Sequence, residues 1–231
     1  MLFGIDPLYW SLMIPFLLLS LIASMRVKSA FALYSRSGIA KGATGAQIAE
    51  YILRQNNIHD VRIERSGGFL SDHYDPSSGV IRLSPKVFDS TSIAAVGVAA
   101  HEAGHVLQHK QNYSLMSLRN LLVPTASIGS NFSYIVIFLG FIINSAGLIK
   151  IGIFLFAAVV LFQIVTLPVE LDASARAKKM LLSYGIISSS EASGVSSVLN
   201  AAAWTYVAAA ASSIATLFYF LLRAGMLGSD D

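Results

Sequence analysis

At 231 residues, 55% hydrophobic and 13% charged, the chain is too apolar for an ordinary soluble domain, which carries about 25% charged residues. Its formal net charge of +3, with no basic block interleaved with aromatics, excludes nucleic acid as the expected partner. The absence of cysteine rules out disulfides and thiolate metal ligands, and it fits a reducing compartment.

Four apolar stretches, near residues 7–25, 122–143, 148–167 and 198–222, are long enough to cross a hydrocarbon core of roughly 30 Å. The first has no basic residue before it, and Arg26 and Lys28 follow it, so it reads as a retained anchor rather than a cleaved signal. Arg26, Lys28, Arg36 and Lys41 then precede any acid, which places this juxtamembrane start in the cytoplasm by the positive-inside bias. Thr44 followed by Gln47 is a capping-box signal, and the spacing of Ile48, Tyr51 and Ile52 predicts a helix over residues 45–56. Residues 59–65, 69–74 and 79–83 favour strand and are separated by Gly67-Gly68 and Asp75-Pro76-Ser77-Ser78, which predicts a small antiparallel sheet. A helix starting at Ser90 or Thr91 should run to about residue 110. After the second and third spans, residues 168–197 form a loop containing a helix over 172–182. Its cations Arg176, Lys178 and Lys179 fall on the same membrane side as the first basic cluster. The expected organisation is an anchor (1–25), a cytoplasmic-face α+β part (26–120), a transmembrane hairpin (121–168), a membrane-proximal helix and loop (169–197) and a last span with its tail (198–231).

The chemistry resides in His101-Glu102-Ala103-Gly104-His105, which matches H-E-x-x-H. Histidines at i and i+4 project from one helical face and can grip one zinc ion, while a glutamate about 100° around the helix can reach a bound water. The spacing therefore predicts a zinc-activated water with Glu102 as general base. The helix around the motif is uncharged apart from Glu102, which keeps rival charges away from the ligands. The competing reading is a pair of buried core histidines.

A catalytic zinc also needs a third protein ligand. His109 continues the helical spacing, but a straight helix carries it another turn along, so a supporting or surface role fits it better. His59 and His73 sit among polar residues, as surface histidines do. Glu170 stands just after Pro168-Val169 at the end of an apolar span, where a carboxylate is expensive unless bound. Its alternative is a solvated carboxylate paired with Arg176 or Lys178.

The blocks Asp72-His73-Tyr74-Asp75-Pro76, Arg82-Leu83-Ser84, the helix over 98–108, Leu167-Pro168-Val169-Glu170 and Ala173-Ser174 with Arg176-Ala177 resemble the neutral zinc metallopeptidases of bacterial membranes called YugP-like, more distantly related to the gluzincin membrane proteases. The resemblance covers nearly the whole chain. It implies an α-helical membrane protein of about four transmembrane helices with a small α+β gluzincin-like peptidase domain. It also implies Glu170 as third zinc ligand beside His101 and His105, one zinc per chain, and an edge strand around Leu70, Ser71, Asp72, His73 and Tyr74 that receives extended substrate, the alternative for these residues being an ordinary sheet strand. The related proteases carry an aspartate four residues after the ligand glutamate, where this chain has Ser174; Asp172 is the candidate substitute for orienting a histidine, with Ser174 and His109 as further candidates for supporting the ligands. Arg176, His109, Tyr113 and Tyr74 remain open as the group that stabilises the oxyanion, with Arg176 the catalytic candidate.

The expected function is that of a zinc endopeptidase in the bacterial cell membrane, multi-pass, with its site facing the cytoplasm and acting on membrane-associated proteins or peptides. One alternative is an intramembrane protease of the site-2 type, against which stand the short apolar run before His101 and the polar His109-Lys110-Gln111-Asn112 after it. Another is a non-catalytic zinc-binding scaffold or regulator, for which Glu102 would have no use. Substrate and oligomeric state leave no trace in the sequence.

Overall fold

The computed structural model describes residues 6–68 and 71–225. The helices are α1 (Pro7–Tyr34), α2 (Gly45–Gln55), α3 (Pro85–Phe88), α4 (Ile93–Lys110), α5 (Ser114–Ile142), α6 (Ala146–Ser183) and α7 (Ser189–Arg223), and the strands are β1 (Arg62–Arg65), β2 (His73–Asp75) and β3 (Val80–Leu83). The protein is mostly helical, and α1, α5, α6 and α7 are long and apolar enough to cross a membrane. The chain divides into two compact units. One comprises Ser24–Tyr113 and Val169–Trp204, the other Met1–Ala23, Ser114–Pro168 and Thr205–Asp231.

In the first unit, α2 begins where the sequence says it should. The Thr44 hydroxyl accepts from the Gln47 amide, and the Gln47 side chain accepts from the Thr44 amide, which satisfies two donors that a helix start leaves orphaned. Helix α4 is capped by Ser92, whose hydroxyl accepts from the Ala95 amide, rather than by Ser90 or Thr91. Ser90 is engaged with Ser92 itself. Ile48, Ile52, Ile81, Leu83, Val87, Val96, Val106, Leu181 and Val195 close a core around α4.

The sheet has the order β1-β3-β2, with β1 parallel to β3 and β2 antiparallel to it. The antiparallel expectation thus holds for β2 and β3 and is corrected for β1. β3 carries Val80, Ile81 and Leu83, all fully buried, and takes the centre, so β1 and β2 flank it. Two successive reversals of chain direction then leave β1 and β3 pointing the same way. Strand β2 also starts later than the predicted 69–74. Asp72 leaves the ladder because its carboxylate accepts from the Ser84 amide at 2.7 Å and from the Ser84 hydroxyl at 3.1 Å.

The other unit is a helix bundle with Ile137, Ile149, Ile153, Phe156, Val160, Tyr219 and Phe220 at its centre. Small residues bring its helices close, as expected where lipid supplies no hydrophobic drive between them. A Cβ on Gly152 would lie 2.9 Å from the Ile137 backbone nitrogen. Phe154, 78% exposed, typifies the apolar surface this unit keeps.

The expected loop over 168–197 shrinks to residues 184–188, because α6 runs unbroken to Ser183 through Pro168. Pro168 removes one amide donor and leaves the Ile164 carbonyl without its helical partner, which long apolar helices tolerate. Pro15 and Pro124 lie inside α1 and α5 in the same way. One consequence is functional. Glu170, Asp172, Ser174 and Arg176 ride on a rigid helix instead of a loop.

Candidate metal centre

Helix α4 presents His101 and His105 one turn apart, with ring centroids 4.7 Å from each other. Helix α6 brings Glu170, 3% exposed, against them: its Oε2 is 3.2 Å from His101 Nε2 and 3.5 Å from His105 Nε2. Among the described residues these three form a cluster whose candidate ligand atoms lie within 4.8 Å of one another. The approach of the two helices depends on Gly104. A Cβ there would sit 2.8 Å from the Ala173 carbonyl oxygen, so any side chain would push α6 and its glutamate away.

The other ring nitrogens are held as well. Ser174 Oγ is 3.1 Å from His101 Nδ1, and Gln108 Oε1 is 2.9 Å from His105 Nδ1. The Gln108 amide nitrogen donates to the Val169 carbonyl and to Asp172 Oδ2, both at 2.8 Å, so Oε1 must be the atom that faces His105. Nδ1 of His105 therefore carries a hydrogen, and in the neutral ring Nε2 is left as a lone pair facing a carboxylate oxygen. Two acceptors face to face are reconciled by a proton on the imidazole or by a metal cation in its place. Tetrahedral zinc with bonds of about 2.0–2.2 Å sets neighbouring donor atoms about 3.3–3.5 Å apart, close to both nitrogen–oxygen separations here. The donor set, two imidazoles and a carboxylate, is one that zinc takes in catalytic sites. The residues fit the metal.

Glu102 follows His101 on α4, is 6% exposed and stands outside the ligand cluster. Burial pushes its carboxyl above the ordinary carboxylate range, and the neighbouring imidazoles of His101 and His105 oppose that shift only in part.

Residues 9–225 match the family described as "Putative neutral zinc metallopeptidase". The chain belongs to this family. It is also 45% identical over 204 residues to the "Putative membrane protease YugP" of Bacillus subtilis (strain 168), an overlap of 88% of this chain and 91% of the relative. No solved structure matches it. A zinc-peptidase family implies zinc, and among the described residues His101, His105 and Glu170 on α4 and α6 lie together with donor chemistry that could hold it.

The remaining residues singled out in the sequence fall in three places. Asp172 does not touch a histidine; it reaches His105 only through Gln108, and its Oδ2 also accepts from Arg176 Nε at 2.5 Å. Arg176 spends its guanidinium on Asp172, on Gln111 Oε1 at 2.5 Å and over the Tyr113 ring, with no bond to a cluster ligand. Ser174, noted in the sequence as a gap, is the group in contact with His101. His109 lies away from the cluster, its Nδ1 2.8 Å from the Tyr74 hydroxyl, and that contact sets β2 against α4. His73 is on the outer face of the sheet beside Arg82, and His59 lies outside the cluster. Ser71 bonds Ser66, and Asp72 ties its loop to Ser84. Burial raises the Asp72 carboxyl, against the opposing pull of the Ser84 bonds. Leu70 lies outside the described residues.

Sequence reasoning gave no role to Gln108 or Gly104. A signal for Gln108 is present: a lone amide three residues after His105, on its helical face, directly after the apolar Val106 and Leu107. Gly104 carries no comparable mark, since only the position of α6 explains it.

Proposed function

We infer that the protein is a membrane-bound zinc endopeptidase, loaded with one zinc per chain through His101, His105 and Glu170. The observation that carries this reading is the convergence of those three ligands beside Glu102, a buried carboxylate with no ligand to hold. Zinc held there supplies Lewis acidity, which polarises a peptide carbonyl and makes water a better nucleophile. Glu102 accepts the proton of the attacking water and hands it to the departing amine nitrogen as the carbon–nitrogen bond breaks. Ser174 and Gln108 hold the imidazoles from behind. Strand β2, at the sheet edge and packed on α4, offers the main chain of His73–Asp75 for pairing with an extended peptide. Arg176 is tied up by Asp172 and Gln111, which leaves Tyr74, His109 and Tyr113 as the candidate donors for a developing oxyanion.

The substrates are peptides or proteins at the membrane, met on the cytoplasmic face. The basic clusters Arg26, Lys28, Arg36, Lys41 and Arg176, Lys178, Lys179 support that orientation. Helix α4 is not among the four helices apolar and long enough to span a membrane, which favours this reading over an intramembrane protease of the site-2 type.

The test is peptide hydrolysis by the purified full-length protein and by Glu102→Gln. Cleavage by the zinc-loaded wild type and none above background by an equally zinc-loaded variant is the expected result. Tight zinc with no cleavage of any peptide or unfolded protein by the wild type would replace the enzyme by a zinc-binding scaffold.

A further inference from the structure

We propose that Gln108 is the positioning residue of the metal centre: it locks His105 in the tautomer that offers Nε2 to an ion and ties α4 to the turn of α6 that carries Glu170. The inference rests on the zinc reading above and extends it to a residue outside the H-E-x-x-H motif.

Gln108 follows His105 by three positions and His101 by seven, which puts all three on one face of α4. Its side chain is fully buried, at 0% exposure. Burying an amide is costly unless its donors and acceptor are all met, and an apolar residue of similar volume would fill the space without that demand. Here every demand is met. Oε1 accepts from His105 Nδ1–H at 2.9 Å, and the two amide hydrogens go to the Val169 carbonyl and Asp172 Oδ2, both at 2.8 Å.

Each bond has a consequence. The two acceptors on the amide nitrogen prevent the side chain from flipping, so an oxygen is always presented to His105. That oxygen can only accept, which fixes the hydrogen on Nδ1 and the lone pair on Nε2. Val169 directly precedes Glu170, so the same side chain braces the backbone of the third ligand. Asp172 is itself anchored by Arg176, which Gln111 and Tyr113 hold in turn.

His101 provides the contrast. Its partner is the Ser174 hydroxyl, which can rotate to donate or to accept and so tolerates either tautomer. One histidine is steered and the other accommodated. The sequence pattern that looked incomplete at Ser174 is completed from the other side, by α4 itself.

The experiment compares full-length wild type, Gln108→Met and Gln108→Glu in detergent. Three quantities are read: thermal unfolding without metal, zinc affinity by chelator competition, and the visible spectrum of the cobalt(II)-loaded protein. Gln108→Met keeps volume but removes the acceptor. It should bind zinc about 10–100-fold more weakly, the usual effect of losing a partner behind a metal ligand, and its cobalt bands should shift at saturation. Gln108→Glu still turns an oxygen toward Nδ1–H but loses the two donors to Val169 and Asp172, so it should bind zinc more tightly than Gln108→Met and more weakly than the wild type, with cobalt bands nearer the wild type's. Wild-type affinity and spectrum in Gln108→Met would overturn the proposal, as would a Gln108→Glu protein no better than Gln108→Met. If Gln108→Met fails to fold, Gln108→Glu decides alone: weaker zinc binding with metal-free unfolding near the wild type's supports the proposal, and wild-type affinity overturns it, because both donors to α6 are gone. A wild type that holds zinc but cleaves nothing would defeat the peptidase reading and leave this comparison intact, and a wild type that holds no zinc defeats the reading in its own row of the experiment.

Discussion

Glycine brings helices together in both units of the molecule, yet to different ends. At Gly152 the absent Cβ lets α6 lie against the Ile137 backbone of α5, and the return is packing in an apolar bundle. At Gly104 the absent Cβ lets α4 lie against the Ala173 carbonyl of α6, and the return is the placement of a carboxylate 3.2 Å and 3.5 Å from two imidazole nitrogens. The same physical device is structural in one unit and chemical in the other. Close approach is therefore no guide to function until the polar atoms it brings together are known.

The chemical half of that comparison breaks hardest at Glu102. Glu102→Gln should keep its zinc and lose peptidase activity by about 10²–10⁴-fold, the span expected for a general base. Metal analysis paired with a peptide assay reads both. The two glycines give the next effect. Gly104→Ala and Gly152→Ala should each cost about 1–3 kcal/mol of stability by overpacking against backbone that cannot yield. Only Gly104→Ala should also weaken zinc, by about tenfold or more, as expected when a ligand's support is displaced. Equal zinc affinities in the two variants would erase the distinction between the units. The smallest effect belongs to Thr44→Ala. Loss of the cap that opens α2 should cost about 1 kcal/mol, seen as a lower unfolding temperature with zinc affinity unchanged.

Much of this was legible in the sequence because its signals are local. Thr44 and Gln47 fix the start of α2 by a bond three residues long, and four apolar runs mark the long helices by composition alone. His101, Glu102 and His105 need only the pitch of one helix to share a site. What stayed hidden depends on contacts between elements far apart in the chain. The central place of β3, which makes the sheet mixed, follows from burial on both faces, and no strand-by-strand reading weighs that. Pro168 read as a boundary, but in a long apolar helix the lost bond does not end α6, and the ligand helix is continuous with a span. Ser174 and Gln108 acquire their roles only when α6 docks on α4 and brings residues 61 and more positions apart into one cluster. Asp172, the candidate for holding a histidine directly, turns out to act one residue removed, because Gln108 occupies the space between.

The measurement closest to the central claim is zinc content after gel filtration of full-length wild type and Glu170→Ala, prepared alike. Wild type should hold one zinc per chain and Glu170→Ala should lose nearly all of it, with the metal-free proteins unfolding at similar temperatures. A Glu170→Ala protein that retains one zinc per chain would contradict that claim, since the ion would then be held without the carboxylate that joins α6 to the histidines of α4.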